Sequence, residues 1–207
     1  PAQSYFEGID FKVDNCKLEG IKIYHYNNVG GNITLTNNIF DGTGTVDAYA
    51  IHLQGSETET LNINISNNTI SNYARGINID QKTAVATISN NTIKDLTGVT
   101  KNGYTYGSAI QLTKGTTLTV TDNTINTENV NAFHFYKGLD ADVTISNNTV
   151  KAPYLLWNEA GLDQSKITSA DNTLTIANPD KALTKTGAAE ETTKIEGTTT
   201  GNATVRV

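Results

Sequence analysis

The sequence predicts an all-β solenoid of about seven coils, and two features predict it. The first is a repeated phrase, ISNNTI or a close variant, whose copies start 22 to 32 residues apart. These copies begin at Val13, Leu35, Ile65, Ile88, Val120, Ile145 and Ser169. The second is the alternation of apolar and polar residues within each copy, which is the period of a β-strand. A repeat of this length cannot bury an apolar face alone, so the copies must stack.

Each copy predicts two short strands that meet at a corner. Leu61, Ile63 and Ile65 alternate before an Asn pair, and Ile70 follows it. The Asn pair lies where the chain must bend, because Asn tolerates left-handed backbone conformations and its amide bonds to nearby backbone groups.

Stacked coils would bring the Asn residues of the corners into two columns. The first column would contain Asn37, Asn67, Asn90 and Asn147, with Asp122 in the same place. The second column would contain Asn38, Asn68, Asn91, Asn123, Asn148 and Asn172. If either column points inward, we expect an amide ladder in which each side chain bonds to those above and below.

A third strand follows each corner after a loop of variable length. Its copies are IKIYH from Ile21, IHLQG from Ile51, INIDQ from Ile77, IQLTK from Ile110, FHFYK from Phe133 and LLWNE from Leu155. Three strands per coil, all running the same way round, predict parallel sheets whose edges the next coil covers. Helix is nearly absent from this interpretation, and residues 181–191 form only a weak helical candidate.

With its Asn corners and strand triplets, the chain resembles the right-handed parallel β-helix superfamily, which has the pectate-lyase-like fold. The likeness covers residues 5 to about 178 and is to the non-catalytic bacterial surface (adhesin) type. It implies a right-handed solenoid, whereas left-handed hexapeptide helices keep a stricter coil length. We therefore expect a parallel β-helix over residues 1–178. The Thr-rich residues 179–207 are expected either to cap it or to link it to a further domain.

Composition narrows the possible partners and the location. A net charge of −6 is not typical of a protein that binds nucleic acid, so no nucleic-acid partner is expected. No apolar stretch is long enough to insert into a membrane. Only two arginines occur, which weakens any proposal of polyanion binding. The lone Cys16 stands at an Asn corner and is expected to be a small buried residue. The absence of Met and the first residue, Pro1, suggest a piece of a longer protein, and the Asn, Thr and Gly richness favours an exported bacterial surface protein.

The resemblance also implies a groove along the sheet of third strands, and two outward columns are expected there. One contains Lys22, His52, Asn78, Gln111 and His134, and the other contains Tyr24, Gln54, Asp80, Thr113 and Tyr136. Amide, imidazole and phenol groups on a flat strand face can bond to sugars and stack on them. An ordinary solvated sheet face is the alternative.

The longest loop before this sheet runs from Lys94 to Ser108 and contains Tyr104 and Tyr106. Long loops in compact repeats often serve binding, and Tyr covers area at small entropic cost. We expect these tyrosines to form a binding edge with Tyr49 and Tyr136, unless they pack down on the coil beneath.

Enzymes of the resembling superfamily use calcium-binding Asp clusters or several Asp residues with a His motif. The columns here offer Asp80 and no second carboxylate on an adjacent coil, while Asp47, Asp95 and Glu128 fall in loops. His52 and His134 lie three coils apart, roughly 14 Å, which is too far to share one metal ion. No catalytic residue, metal ligand or cofactor is therefore predicted.

The sequence favours a non-catalytic, adhesin-like binding module, extracellular or on the cell surface, whose partner is a glycan or a host protein. Two other functions stay open: a polysaccharide lyase or glycoside hydrolase, and a structural stalk that holds another domain away from the cell.

Overall fold

The computed structural model describes residues 2–6, 10–27, 30–44, 48–55, 58–177 and 197–199. They form a parallel β-solenoid in which the chain passes through three sheets in turn, once per coil. The predicted all-β class, three strands per coil and about seven coils are confirmed. In the part described, the single helical element is a 3₁₀ turn, Gln164–Lys166.

Sheet A contains the strand that follows the variable loop of each coil. In spatial order it is composed of β1 (Ala2–Phe6), β4 (Ile21–Asn27), β7 (Tyr49–Gly55), β10 (Arg75–Asp80), β15 (Ser108–Lys114), β18 (Asn131–Phe135) and β21 (Leu156–Asn158).

Sheets B and C contain the strands before and after the Asn corner. Sheet B is composed of β2 (Asp10–Asp14), β5 (Gly31–Thr36), β8 (Leu61–Ser66), β11 (Ala84–Ser89), β16 (Thr117–Thr121), β19 (Asp142–Ser146) and β22 (Ile167–Ala170). Sheet C is composed of β3 (Lys17–Glu19), β6 (Ile39–Asp41), β9 (Thr69–Ser71), β12 (Thr92–Lys94), β17 (Thr124–Asn126), β20 (Thr149–Ala152), β23 (Asn172–Ile176) and β24 (Gly197–Thr199).

The tail contributes one described strand, β24, which pairs in parallel with β23 at the end of sheet C. The rest of residues 179–207 lies outside the described residues, as does the weak helical candidate at 181–191. Whether the tail caps the solenoid or links it to another domain stays a prediction.

One apolar core runs along the solenoid, and the alternation that directs side chains into it is clear in the strands of sheet B. In β8, Leu61, Ile63 and Ile65 are buried while Asn62 and Asn64 are exposed. Each fully buried Ile or Leu contributes about 1.5–3 kcal/mol relative to an exposed one. Since each coil shares this burial with its neighbours, no coil is stable alone.

The first corner column takes the left-handed conformation that the sequence suggested. Its φ angles lie between 54° and 58° at Asn15, Asn37, Asn67, Asn90, Asp122, Asn147 and Asp171. Asn and Asp reach this region more readily than other residues with a β-carbon. This conformation turns the chain from sheet B into sheet C.

The second column points inward and forms the predicted amide ladder. Its members are at most 1 % exposed: Asn38, Asn68, Asn91, Asn123, Asn148 and Asn172. The Oδ1 of Asn91 accepts from the backbone N–H of Asn68 and from its Nδ2, both at 2.9 Å. The Nδ2 of Asn91 donates in turn to the Oδ1 of Asn123 at 3.0 Å and to the carbonyl of Ile65 at 2.9 Å. The same pattern satisfies the buried polar groups of the other rungs.

Cys16 occupies the rung position of the first coil, but it is exposed, so the prediction that it is buried is wrong. It lies at the end of the ladder, where the described residues provide no preceding rung to cover it. Its backbone N–H still donates to the Oδ1 of Asn38 at 2.9 Å.

The predicted register of β4 was wrong by two residues. Ile23, not Ile21, pairs with Ile51, so Tyr24 lies beside His52 and Lys22 lies outside that column. A shift of two residues keeps every side chain on the same face, so alternation alone cannot choose between the two registers.

Alternation with Ile23 directs His25 into the core, where it pairs with Leu53 and stacks on Phe11 with ring centroids 5.5 Å apart. His25 is fully buried, and neither ring nitrogen has a hydrogen-bond partner among the described residues. Burial therefore holds the pKa of His25 below its ordinary value of 6.5.

Replacing Asn91 by Ala should break the ladder. It leaves the backbone N–H and the amide of Asn68 without their acceptor, and each buried unsatisfied group costs about 1–3 kcal/mol. We expect urea unfolding to show a loss of about 3 kcal/mol or more. The neighbouring Asn90→Gly change is the control, because Gly adopts positive φ without strain, and it should cost less than about 1 kcal/mol. Equal losses in the two variants would contradict the ladder.

Replacing His25 by Leu should flatten the dependence of stability on pH. Because the pKa of His25 is depressed in the folded state, the ring is neutral in both the folded and the unfolded chain above about pH 6.5. In that range His25 contributes nothing to the pH dependence of stability. Below that pH the unfolded chain binds a proton that the folded chain does not, and wild-type stability should fall by up to about 1.4 kcal/mol per pH unit. Urea unfolding at several pH values between 5 and 8 measures this, and parallel curves for wild type and variant would refute it.

Candidate functional site

The outer face of sheet A carries one continuous column of polar and aromatic side chains. In register from coil to coil it contains Tyr24, His52, Asn78, Gln111, His134 and Trp157. Stacked strands set neighbouring members about 4.8 Å apart. The later part of this column forms the floor of a cleft of about 480 Å³. Its lining residues are Tyr49, Arg75, Asn78, Asp80, Tyr106, Gly107, Gln111, Thr113, His134, Tyr136, Trp157 and Glu159.

A hydrogen-bonded network fixes the floor of the cleft. The Oη of Tyr49 donates to the Oε1 of Gln111 at 2.7 Å, and the Nε2 of Gln111 donates to the Oγ1 of Thr113 at 2.9 Å. Thr113 then donates to the Oδ1 of Asn78 at 2.8 Å. The network joins three strands, so these side chains are held in place before any ligand arrives.

Thr113 reaches this position because of a β-bulge. Pairing between β10 and β15 shifts after Ile79, so Asp80 pairs with Lys114 instead of Thr113. The prediction that Thr113 belongs to the outer Asp80 column is therefore wrong. An extra residue in one strand redirects its side chain, and here the bulge turns the Thr113 hydroxyl toward Asn78.

His134 is buried between the network and a carboxylate. Its Nδ1 lies 3.1 Å from the Oε1 of Gln111, and since an amide oxygen only accepts, Nδ1 carries a proton. Its Nε2 lies 3.1 Å from the Oε2 of Glu159. The contact between Nε2 and Oε2 is a hydrogen bond when the pair carries a second proton, in addition to the one on Nδ1. Burial lowers the pKa of His134, and the neighbouring Glu159 opposes that effect.

Aromatic rings form much of the cleft wall. The indole of Trp157 stacks on the imidazole of His134 with centroids 4.2 Å apart and planes 2° apart, and Tyr136 meets the same imidazole edge-on at 5.4 Å. At the other side, the guanidinium of Arg75 lies 4.0 Å from the ring centroid of Tyr49, a cation–π contact. Burial raises the pKa of Tyr49, so its hydroxyl stays a donor.

A second group of polar residues lies where the cleft meets the earlier coils. The Oδ2 of Asp80 is 3.8 Å from the Nε2 of His52, and its Oδ1 is 3.7 Å from the Nζ of Lys114. His52 also packs edge-on against Tyr24 at 5.0 Å, and the Oη of Tyr24 donates to the Oε1 of Gln54 at 2.6 Å. Asp80 is thus held near an imidazole and an ammonium group without a short hydrogen bond to either.

The long loop forms an antiparallel hairpin of β13 (Val99–Lys101) and β14 (Tyr104–Tyr106). Asn102 and Gly103 connect the strands, both with positive φ, which is the usual chemistry of a two-residue hairpin turn. Tyr106 lines the cleft and is 41 % exposed, whereas Tyr104 is 77 % exposed and lies outside it.

The structure brings together about half of the predicted site residues. Those that line the cleft are Asn78, Asp80, Tyr106, Gln111, His134 and Tyr136. Those outside its lining are Lys22, Tyr24, His52, Gln54 and Tyr104. Of the four tyrosines expected to form a binding edge, Tyr49, Tyr106 and Tyr136 line the cleft and Tyr104 does not.

Four lining residues were not predicted: Arg75, Gly107, Trp157 and Glu159. Leu156, rather than Leu155, pairs with Phe133, and this register turns Trp157 outward. The signal was present in the sequence, since LLWNE contains both Trp157 and Glu159, but its register was placed one residue early. Arg75 is the first residue of β10 and lies two residues before Ile77, where the strand was expected to begin.

These coils and their cleft define a parallel β-solenoid with one polar and aromatic groove. The family model described as "Right handed beta helix region" matches residues 2–178. The chain therefore belongs to the right-handed β-helix family, and the predicted handedness is confirmed. No curated protein and no solved structure matches the chain.

In the part of the chain that the structure describes, no helix is long and apolar enough to cross a membrane. Within the same residues, no three His, Cys, Asp or Glu side chains are grouped so as to hold a metal ion. Asp47 lies outside the described residues.

Proposed function

We propose that this chain is a non-catalytic glycan-binding module, adhesin-like, of an exported bacterial surface protein, and that the cleft on sheet A is its binding site. The observation that carries the proposal is the combination of aromatic faces with fixed amide groups. Tyr106, Tyr136 and Trp157 offer ring surface, while Asn78 and Gln111 offer amides already held by hydrogen bonds. Sugars present both apolar C–H faces, which can stack on the aromatic rings, and hydroxyls, which can bond to the amides.

Rigidity supports the proposal. The floor residues belong to neighbouring strands of one sheet, and their side chains are joined by hydrogen bonds. A preorganised site loses little conformational entropy on binding, so weak contacts add up to useful affinity. The cleft volume also falls within the range of about 300–1,000 Å³ that is typical of ligand sites.

Replacing Tyr106 or Tyr136 by Ala should weaken binding about 5- to 30-fold, because each ring buries area worth about 1–2 kcal/mol against a sugar. An array of immobilised oligosaccharides identifies a binding probe, and calorimetry measures its Kd for each variant. Tyr104→Ala is the matched control: Tyr104 lies on the same face of β14 as Tyr106 but outside the cleft, and its loss should change Kd less than about 2-fold. A larger effect of Tyr104 than of Tyr106, or binding of host proteins without any glycan, would contradict the proposal.

A glycoside hydrolase is the second candidate, because Glu159 places a second carboxylate in the cleft with Asp80. The geometry gives it less support. The strands that carry these residues are three spacings apart, about 14 Å, whereas the paired carboxylates of inverting enzymes are about 6.5–9.5 Å apart.

Turnover of the oligosaccharides that bind would show this second function, measured as newly formed reducing ends. If the chain is a hydrolase, Asp80→Asn and Glu159→Gln should each abolish turnover while Asp171→Asn, at an exposed corner, leaves it unchanged. No turnover by the wild-type chain on any oligosaccharide that it binds would exclude hydrolysis of those ligands.

A further inference from the structure

We infer that the glycan bound in this cleft is uncharged. This inference rests on the proposed function and names the class of ligand. It follows from how the charged side chains of the cleft are arranged and from what they leave available to a ligand.

Every charged residue of the lining has a partner from within the chain. Arg75 lies over the ring of Tyr49 at 4.0 Å, and Glu159 faces His134 at 3.1 Å. Asp80 lies between Lys114 at 3.7 Å and His52 at 3.8 Å. The cleft therefore contains no cluster of cations directed at one point, which is the arrangement that binds a carboxylate or a sulfate.

The charges also nearly cancel. Among the lining residues Arg75 is positive and Asp80 and Glu159 are negative, a formal sum of −1, and Lys114, which lies outside the lining but beside Asp80, brings the sum to zero. A further proton on the His134–Glu159 pair raises the sum to one positive charge at most. The whole chain carries a net charge of −6, so its long-range field repels a polyanion.

The groups that remain suit a neutral sugar. The carboxylates of Asp80 and Glu159 can accept hydrogen bonds from sugar hydroxyls, and hydrogen bonds to charged groups are stronger than those between neutral groups. The aromatic rings cover C–H faces. An acidic sugar would instead bring its own carboxylate close to these two negative groups, and a like charge in a partly buried site is costly.

Matched pairs of oligosaccharides test this directly: oligogalactan against oligogalacturonate, and oligoglucan against oligoglucuronate, each titrated into the intact chain by calorimetry. We expect a neutral member to bind at least 10-fold more tightly than its acidic counterpart. Its Kd should be unchanged from about 0.01 M to about 0.15 M salt, because screening does not act on an uncharged ligand. Equal or tighter binding of the acidic member overturns the inference. Binding by no member of either pair, nor by any sugar on the array, overturns the proposed function itself.

Two variants separate charge from folding. Glu159→Gln removes one negative charge and should tighten binding of the acidic member about 2- to 5-fold. The control is Glu19→Gln, at an exposed position of β3, and it should leave the Kd of the acidic member unchanged. Arg75→Gln should leave the salt dependence of the neutral member flat. If Arg75→Gln instead abolishes a preference for the acidic member, the ligand is an acidic glycan and the inference is wrong.

Discussion

The buried Asn ladder is the constraint on which the rest of the molecule depends. At each corner one side chain accepts from the backbone and amide of one rung and donates to the next rung. A corner that bends this sharply would otherwise leave buried N–H and carbonyl groups without partners, each at a cost of about 1–3 kcal/mol. The ladder satisfies those groups and reinforces the parallel strand pairing that sets the distance between coils.

The cleft depends on that spacing, because its residues come from different coils. Asn78, Gln111, His134 and Trp157 belong to four successive strands of sheet A, and they meet only if those strands are in register. The β-bulge after Ile79 and the hairpin before β15 are the two departures from the repeat. Both contribute to the cleft, so the site lies where the otherwise regular repeat of sheet A is interrupted.

Much of the fold follows from local chemistry that a sequence reveals. The alternation of Leu61, Ile63 and Ile65 predicts a strand, and the Asn pairs predict the corners. Registers are harder, since Ile21 and Ile23 present the same face and either could pair with Ile51. The site was predicted only in part for a related reason: the register of β21 was placed one residue early, and a shift of one residue moves Trp157 to the opposite face. Glu159 lies just beyond its strand, and Arg75 reaches the cleft through its contact with Tyr49, which no repeat pattern indicates.

Cys16 interrupts the Asn series at the first described corner. Each Asn rung donates its backbone N–H and its amide to the Oδ1 of the next rung, and Cys16 has no such oxygen. A further Asn rung stacked on the side of Cys16 that faces away from Asn38 would therefore bury two donors without an acceptor. The thiol thus makes this position the one in the series least able to receive another Asn rung.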